Sequence, residues 1–377
     1  MKGRHFSLIL LPTLRCNADC EYCFENRTAD RLSLAQLDTI IGRVLAYMTA
    51  ADIDDLTLHW QGGEVLTLPP DWMAEAGARI EQAAAAHGKR VEHGLQTNLI
   101  GYRQRWNPVI REMFGNRLGT SMDFPNHHRK LLNGSAADYT HRWERKLRAA
   151  RAAGIQVSVI ALPSAATLAL GAERFYEYFV EELGIVDFQL NTPFPGGESN
   201  AVKQDLGLDL DALIEFQREL VDIWMERGYQ QGVRIGPFDA LLQVFSHESA
   251  TLPCIWGQNC AEHFIAIDPR GFVAQCDCWV TSYPQQRFGN ILDSDDLGEL
   301  LAHSPARRQF RQRPVTLLEK GCLQCEYLAL CHGGCPVRTH AFHGHMLERD
   351  PYCRLYLATF EQMRRHASRR AATATAS

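Results

Sequence analysis

The chain has 377 residues, enough for one large domain and a smaller one. It is 46% hydrophobic and 22% charged, with a net charge of -5 and mixed signs throughout, so no broad basic surface argues for nucleic acid. Apolar runs such as Phe6–Pro12 are too short to span a bilayer, and no signal-peptide core follows Met1. The expectation is a cytoplasmic protein with no membrane or nucleic-acid partner, whose twelve cysteines ligate metal rather than pair as disulfides.

In chain order, strands are expected at Ser7–Leu11, Leu56–Trp60, Val91–Thr97, Leu118–Met122, Ile155–Ala161 and Val186–Asn191. Helical patterns lie between and after them at about 33–50, 71–88, 105–114, 137–153, 171–183 and 209–227. Ser33 with Gln36 three residues on reads as a capping box, and Gly154 as a helix stop before the fifth strand. Six strand–helix alternations predict an α/β fold with a parallel sheet, a partial (β/α)6 barrel whose active face lies at the strand C-terminal ends. Farther on, Phe264–Cys276 reads as two short strands around a Pro269-Arg270-Gly271 turn, followed by cysteine-rich loops and a terminal helix at about 351–368. The expected division is a core domain at 1–235, a cysteine-rich domain at 236–370 and a disordered tail at 371–377.

Cys16, Cys20 and Cys23 form a C-x3-C-x2-C run just after the first strand. Three thiolates so close can hold three corners of a cubane iron–sulfur cluster and leave one iron open. Zinc, the competing reading, takes four ligands, and no fourth lies nearby. The other nine cysteines are 254, 260, 276, 278, 322, 325, 331, 335 and 353, with Gly333 and Gly334 giving room just before Cys335. Spacing alone leaves both zinc and iron–sulfur open for this second group. Gln61-Gly62-Gly63-Glu64 follows the second strand, where paired glycines permit close backbone approach and a carboxylate can accept from an ammonium. Ser121 and Asp123 end the fourth strand and carry groups suited to a ribose or an amino acid. Arg129 is suited to a carboxylate, and otherwise reads as a solvated surface arginine. Tyr22 offers an aromatic face and could equally be core. Asp277, between Cys276 and Cys278, is either a loop cap or a base.

The three-cysteine run after a first strand resembles the radical S-adenosylmethionine (SAM) superfamily. The pattern Cys260-x10-Gly271-x4-Cys276, the 322–335 run and Cys353 resemble the SPASM extension of that superfamily, and the Cys254-x5-Cys260 pair is similar to that of the anaerobic sulfatase-maturating enzymes. The likeness covers nearly the whole chain. It implies SAM bound to the open iron on Cys16, Cys20 and Cys23, with Gly62, Gly63 and Glu64 near its amino group and Tyr22 over its adenine. Gln61, Ser121, Asp123 and Arg129 complete the implied pocket. It further implies one auxiliary [4Fe-4S] cluster on Cys254, Cys260, Cys276 and Cys335 and another on Cys322, Cys325, Cys331 and Cys353, three clusters in all, with Cys278 left over.

Two positions depart from the family's pattern: Val65 stands where a Pro is usual and Phe124 where a Gly is usual. The implied chemistry is a 5′-deoxyadenosyl radical that takes hydrogen from a side chain of a peptide or protein, with Asp277 accepting a proton. The leading reading is oxidation of a sulfatase Cys or Ser to formylglycine, fed by a low-potential donor such as flavodoxin or ferredoxin. The alternative is maturation of a ribosomally made peptide by thioether, carbon–carbon or other side-chain modification. Such enzymes often carry an N-terminal leader-binding domain, which the few residues before the first strand would not supply.

Overall fold

The computed structural model describes residues 4–193, 206–257, 260–262 and 264–375. Contacts divide the chain into two compact units, each assembled from separate segments. The first comprises Met1–Ser121, Arg129–Val157 and Asn259–Gln312; the second comprises Met122–His128, Ser158–Gln258 and Arg313–Ser377.

In the first unit, strands β1 (His5–Leu10), β2 (Asp55–Trp60) and β3 (Arg90–Leu95) pair in parallel. Phe6, Leu8 and Leu10 of β1 and Leu56, Leu58 and Trp60 of β2 are buried, which is the two-residue period of a strand with one face in the core. Helix α1 (Leu34–Ala50) turns Leu37, Ile40, Ile41, Val44, Leu45 and Met48 inward at helical spacing. The predicted capping box is present: Ser33 and Gln36 exchange bonds at its N-terminus. Helices α2 (Pro70–Ala86) and α3 (Asn107–Met113) each place Pro in the first turn, where its missing N–H leaves no bond unmade. Strand β4 (Arg117–Ser121) meets β3 through a parallel bridge, Gln96 to Gly119, and helix α4 (Ala136–Ala152) follows behind a second capping box, Ser135 with Asp138.

The second unit carries β5 (Gln156–Ala161), β6 (Asp187–Leu190) and β7 (Arg234–Gly236), again parallel. Within it, Met122 N–H donates to Ile160 O at 3.0 Å, so the chain leaving β4 runs along β5. The strand–helix alternation thus follows the expected order, with boundaries shifted by one or two residues.

The cysteine-rich stretch differs from expectation in one respect. Its hairpin, β8 (Phe264–Ile267) and β9 (Phe272–Ala274), belongs to the first unit and extends the first sheet to the order β10-β9-β8-β1-β2-β3, where β10 is Gly289–Asn290. Strand β8 lies parallel to β1 in the register Ser7 to Phe264 through Leu10 to Ile267, satisfying an edge that would otherwise expose its backbone. The terminal helix runs Cys353–Thr375, past the expected end at about 368 and through most of the expected tail. Arg and Ala, both strong helix formers, make up 369–372, and residues 376 and 377 lie outside the described residues. Among the described residues no helix is long and apolar enough to cross a membrane.

Candidate active site and cluster loops

The loop after β1 carries Cys16, Cys20 and Cys23, all half-buried. Its backbone is tightly turned: Cys23 N–H donates to Cys20 O at 3.2 Å, and Ala18 N–H donates to Cys16 Sγ at 3.4 Å. Burial, with the Glu64 carboxylate as the next cause, pushes the Cys16 thiol up to about 12; burial does the same to Cys23. The charges of Cys20 and Cys23 add to the rise at Cys16. None of the twelve cysteines is in a disulfide. Half-buried, unbridged thiols on one tightly turned loop that hold their protons until a metal displaces them suit an iron–sulfur cluster.

Gln61-Gly62-Gly63-Glu64 lies along this loop. Gln61, Gly63 and Glu64 donate backbone N–H groups to Leu10, Thr13 and Arg15 carbonyls at 3.2, 3.0 and 2.9 Å. A Cβ on Gly63 would lie 2.5 Å from Arg15 O, and one on Gly62, at φ +133°, 2.7 Å from Thr13 O. The glycines are therefore required for the approach of these two loops to each other. Glu64 is buried, and both its oxygens are engaged: Oε1 accepts from Leu66 N–H at 2.9 Å and from the Thr97 hydroxyl, and Oε2 accepts from Asn98 N–H at 2.6 Å. Burial raises its pKa against these three donors. Val65 is buried and opens the single turn Val65–Thr67 that Glu64 caps, so the loop turns here without the family's Pro. Asn98 completes the junction by donating to Asn17 Oδ1 at 2.7 Å and lying 3.8 Å from Cys16 Sγ.

Arg129 is buried, not solvated, and its guanidinium sits 5.3 Å from the centre of the Tyr22 ring. Ser121 accepts from Gln96 Nε2 at 2.9 Å at the end of β4. In the second unit, buried Asp123 accepts from Leu162 N–H at 3.1 Å. Phe124 stacks on Tyr178 with centroids 3.7 Å apart and carries Arg174 over its ring, so its bulk is absorbed by these neighbours.

Asp277 opens the short helix Asp277–Ser282 directly after Cys276. Ligand atoms of Cys276, Asp277 and Cys278 lie within 4.8 Å of one another. Burial raises the Asp277 carboxyl above the ordinary range, against bonds from the Cys278 and Asp277 N–H groups. Spacing gave no sign of its neighbour, Glu25. That carboxyl is held well above its usual range by burial and then by the Asp277 charge, and its Oε2 is buried with no hydrogen-bond partner. The chain around Glu25 is latched to this helix: Asn26 Nδ2 donates to Thr281 O at 2.8 Å, and the Ser282 hydroxyl donates to Phe24 O. The first unit thus sets the exit of the Cys16–Cys23 loop against the segment bearing Asp277. Gln275 Nε2 donates to Cys260 O at 2.6 Å, tying the Cys260 turn to the residue before Cys276.

In the second unit, Cys322, Cys325, Cys331 and Cys353 influence one another. Burial first, then neighbouring cysteine charges, raise Cys322, Cys331 and Cys353, the second of these to about 12. This is a four-thiol donor set that also fits a cluster. The turn from Cys331 to Cys335 is held by two buried charges. Arg313 donates to the carbonyls of Gly333 at 2.9 Å, Gly334 at 3.1 Å, Met346 at 2.8 Å and Glu348 at 3.3 Å. Asp350 accepts from Cys335 N–H at 2.7 Å, and Gly334, at φ +73°, leaves room for it. A third, Arg338, donates to the Tyr356 hydroxyl at 2.8 Å and senses the charges of Cys335 and Cys254. Cys254 itself is exposed, in a turn beside Trp256, which packs on Tyr356 and Phe360.

Residues 10–163 match the Radical SAM superfamily. The chain is 24% identical over 371 residues to the cysteine-type anaerobic sulfatase-maturating enzyme of Clostridium perfringens, covering 94% of this chain and 95% of that one. The solved structure of native anSMEcpe with bound AdoMet and the Cp18Cys peptide superimposes with a TM-score of 0.75 at 22% identity, over 98% of this chain and 99% of that one. Streptococcus suis SuiB bound to the precursor peptide SuiA follows at a TM-score of 0.58 and 15% identity, over 93% of this chain and 76% of that one. These likenesses show the fold, a partial (β/α)6 radical SAM barrel with a cysteine-rich C-terminal region. Residues 10–163 thus match a radical SAM domain, and along nearly its whole length the chain is similar to the anaerobic sulfatase-maturating enzymes.

Proposed function

We propose that this enzyme oxidises a Cys or Ser side chain within a peptide or protein to formylglycine, in the manner of the sulfatase-maturating enzymes it resembles. The observation that carries the reading is Asp277: a carboxyl with raised proton affinity, beside Glu25, on the segment latched to the first cysteine loop. When bound, SAM on a [4Fe-4S] cluster at Cys16, Cys20 and Cys23 supplies a 5′-deoxyadenosyl radical that removes a hydrogen atom, and two auxiliary [4Fe-4S] clusters on the C-terminal cysteine sets supply a sink for the second electron. The rest falls to side chains of the chain. Arg129, fixed against Tyr22, binds the SAM carboxylate while the Tyr22 ring covers adenine. Glu64, engaged by its own three donors, braces the Gly62-Gly63 backbone that meets the amino group, so its part is to shape the loop. Gln61, Ser121 and Asp123 serve the ribose and methionine side.

An oxygen of Asp277 takes the proton that the substrate side chain releases as its Cβ is oxidised; a Ser then gives the aldehyde directly, and a Cys gives a thioaldehyde that water converts to the aldehyde with loss of hydrogen sulfide. The core is assigned to 1–235 and the auxiliary-cluster domain to 236–370, with a flavodoxin- or ferredoxin-type donor and a cytoplasmic location. The likeness to SuiB keeps a second reading, modification of a ribosomally made precursor peptide.

The test is an anaerobic incubation of the reconstituted enzyme with Cys- and Ser-containing sulfatase-type peptides, scored for aldehyde by mass spectrometry. Wild type is expected to convert one of them. Asp277→Asn is expected to cleave SAM yet form about 10²- to 10⁴-fold less aldehyde. Undiminished aldehyde from the variant makes Asp277 structural; SAM cleavage without any aldehyde from wild type moves the precursor-peptide reading to first place.

A further inference from the structure

Helix α4 has five basic side chains against two carboxylates, in a chain whose net charge is -5. Arg142 and Arg145 are exposed on it, as is Arg103 on the segment after β3, and all three charges bear on Lys146. Among the described residues none of these four makes a salt bridge with a carboxylate. Three cations on one helix and Arg103 beside them, none in a salt bridge, give this part of an acidic protein a local field opposite to that of the whole molecule.

The segment just ahead of α4 leads directly to the first cysteine loop. Asp19 N–H donates to Lys130 O at 2.8 Å, Ala18 and Leu131 form an antiparallel bridge, and Leu132 N–H donates to Asn17 O at 3.3 Å. Asn17 is the residue after Cys16. Leu132 is 53% exposed, so an apolar surface residue stands one hydrogen bond and one peptide link from a cluster cysteine. A second link runs inward from α4: the Tyr139 hydroxyl donates to Asn98 O at 3.5 Å, and the Asn98 amide lies 3.8 Å from Cys16 Sγ. From the cap Ser135 to Lys146 the helix spans ~16 Å, the scale of a small transient interface.

We infer that Leu132 and the basic residues Arg103, Arg142, Arg145 and Lys146 form the docking surface for a small acidic one-electron carrier protein. The inference rests on the reading of Cys16, Cys20 and Cys23 as holders of the first cluster. One electron leaves the carrier's reduced flavin or iron–sulfur centre and enters that cluster; the carrier is oxidised by one electron and no proton or group is transferred. The basic rim steers the acidic carrier, and Leu132 provides the dry contact through which the centres approach.

The test uses stopped-flow mixing of the reconstituted holoenzyme with a reduced acidic flavodoxin-type carrier and, separately, a reduced acidic ferredoxin-type carrier. The readouts are the second-order rate of electron transfer and its dependence on ionic strength. The variants are Arg142→Glu/Arg145→Glu and, leaving the helix untouched, Leu132→Ser; iron content and SAM cleavage driven by a small chemical reductant report on folding and on the active site. The expected result is a loss of about tenfold or more in the carrier-driven rate for the double reversal, with a flattened salt dependence and unchanged chemically driven cleavage. Wild-type carrier-driven rates in both variants overturn the surface. So does a wild type that neither carrier reduces but the chemical reductant does, and so does a single-stranded RNA that binds wild type more tightly than either carrier. Failure of the wild type to cleave SAM even with the chemical reductant removes the first-cluster reading itself, and the surface with it.

Discussion

The two cysteine regions are held by opposite means. Around Cys16–Cys23 the backbone does the holding, through turns and close contact with the Gly62-Gly63 loop, and one buried carboxylate, Glu64, braces the surrounding loops. Around Cys331–Cys335 the holding is done by buried charged side chains, Arg313 and Asp350, that bond directly to backbone carbonyls and N–H groups. The first arrangement holds a three-cysteine loop with no fourth cysteine on it. The second clamps the turn between Cys331 and Cys335 through its own backbone groups. Close backbone contacts hold one loop without a charged side chain bonding to its cysteines, whereas buried charges clamp the other turn through its carbonyls and N–H groups.

If that contrast is right, Arg313→Met should have the larger effect of two further perturbations. It leaves four carbonyls, three of them in buried bonds, without their donor, and each bond from a charged donor contributes ~1.5–3 kcal/mol. Stability should fall by about 3 kcal/mol or more, and the reconstituted variant should lack about four irons while the first cluster still forms. Thermal unfolding together with iron analysis checks this; a full iron complement at wild-type stability would break the contrast.

A smaller effect is expected from pH in the metal-free chain. Cys16, Cys23 and Cys331 are raised from 9.0 to about 12 by burial, so they stay protonated when folded and ionise when unfolded. Their contribution to stability is complete below about pH 9 and declines as pH rises toward 12. Denaturant titrations of apoprotein across that window should show falling stability. The cluster-loaded protein, whose thiolates are already ionised on metal, should lack this component.

Much of the architecture could be read from sequence because it is written in short-range patterns. The Ser33–Gln36 box, the two-residue period of β1 and β2 and the 3.6-residue period of α1 each arise from neighbouring residues. The cysteine spacings and Gly62-Gly63-Glu64 were legible for the same reason. What escaped depended on residues far apart in the chain. Glu25 meets Asp277 only because the hairpin β8–β9 folds back onto the edge of β1, and no periodicity announces that pairing. Arg313 falls in a stretch expected only as cysteine-rich loops, and its part shows only once the Gly333–Gly334 carbonyls turn toward it. Glu64 looked available for an ammonium, yet local donors from Leu66, Thr97 and Asn98 occupy its carboxylate. Phe124, which stands where the family usually has a Gly, is stacked on Tyr178, a residue 54 positions away that no local pattern announces.

The most direct measurement is iron content and SAM cleavage in the Cys16→Ala/Cys20→Ala/Cys23→Ala variant beside wild type, both reconstituted anaerobically. The account predicts about twelve irons for wild type and about eight for the variant, with 5′-deoxyadenosine formed only by wild type. A triple variant that still makes 5′-deoxyadenosine at the wild-type rate, or a wild type holding stoichiometric zinc and only about four irons, would contradict it.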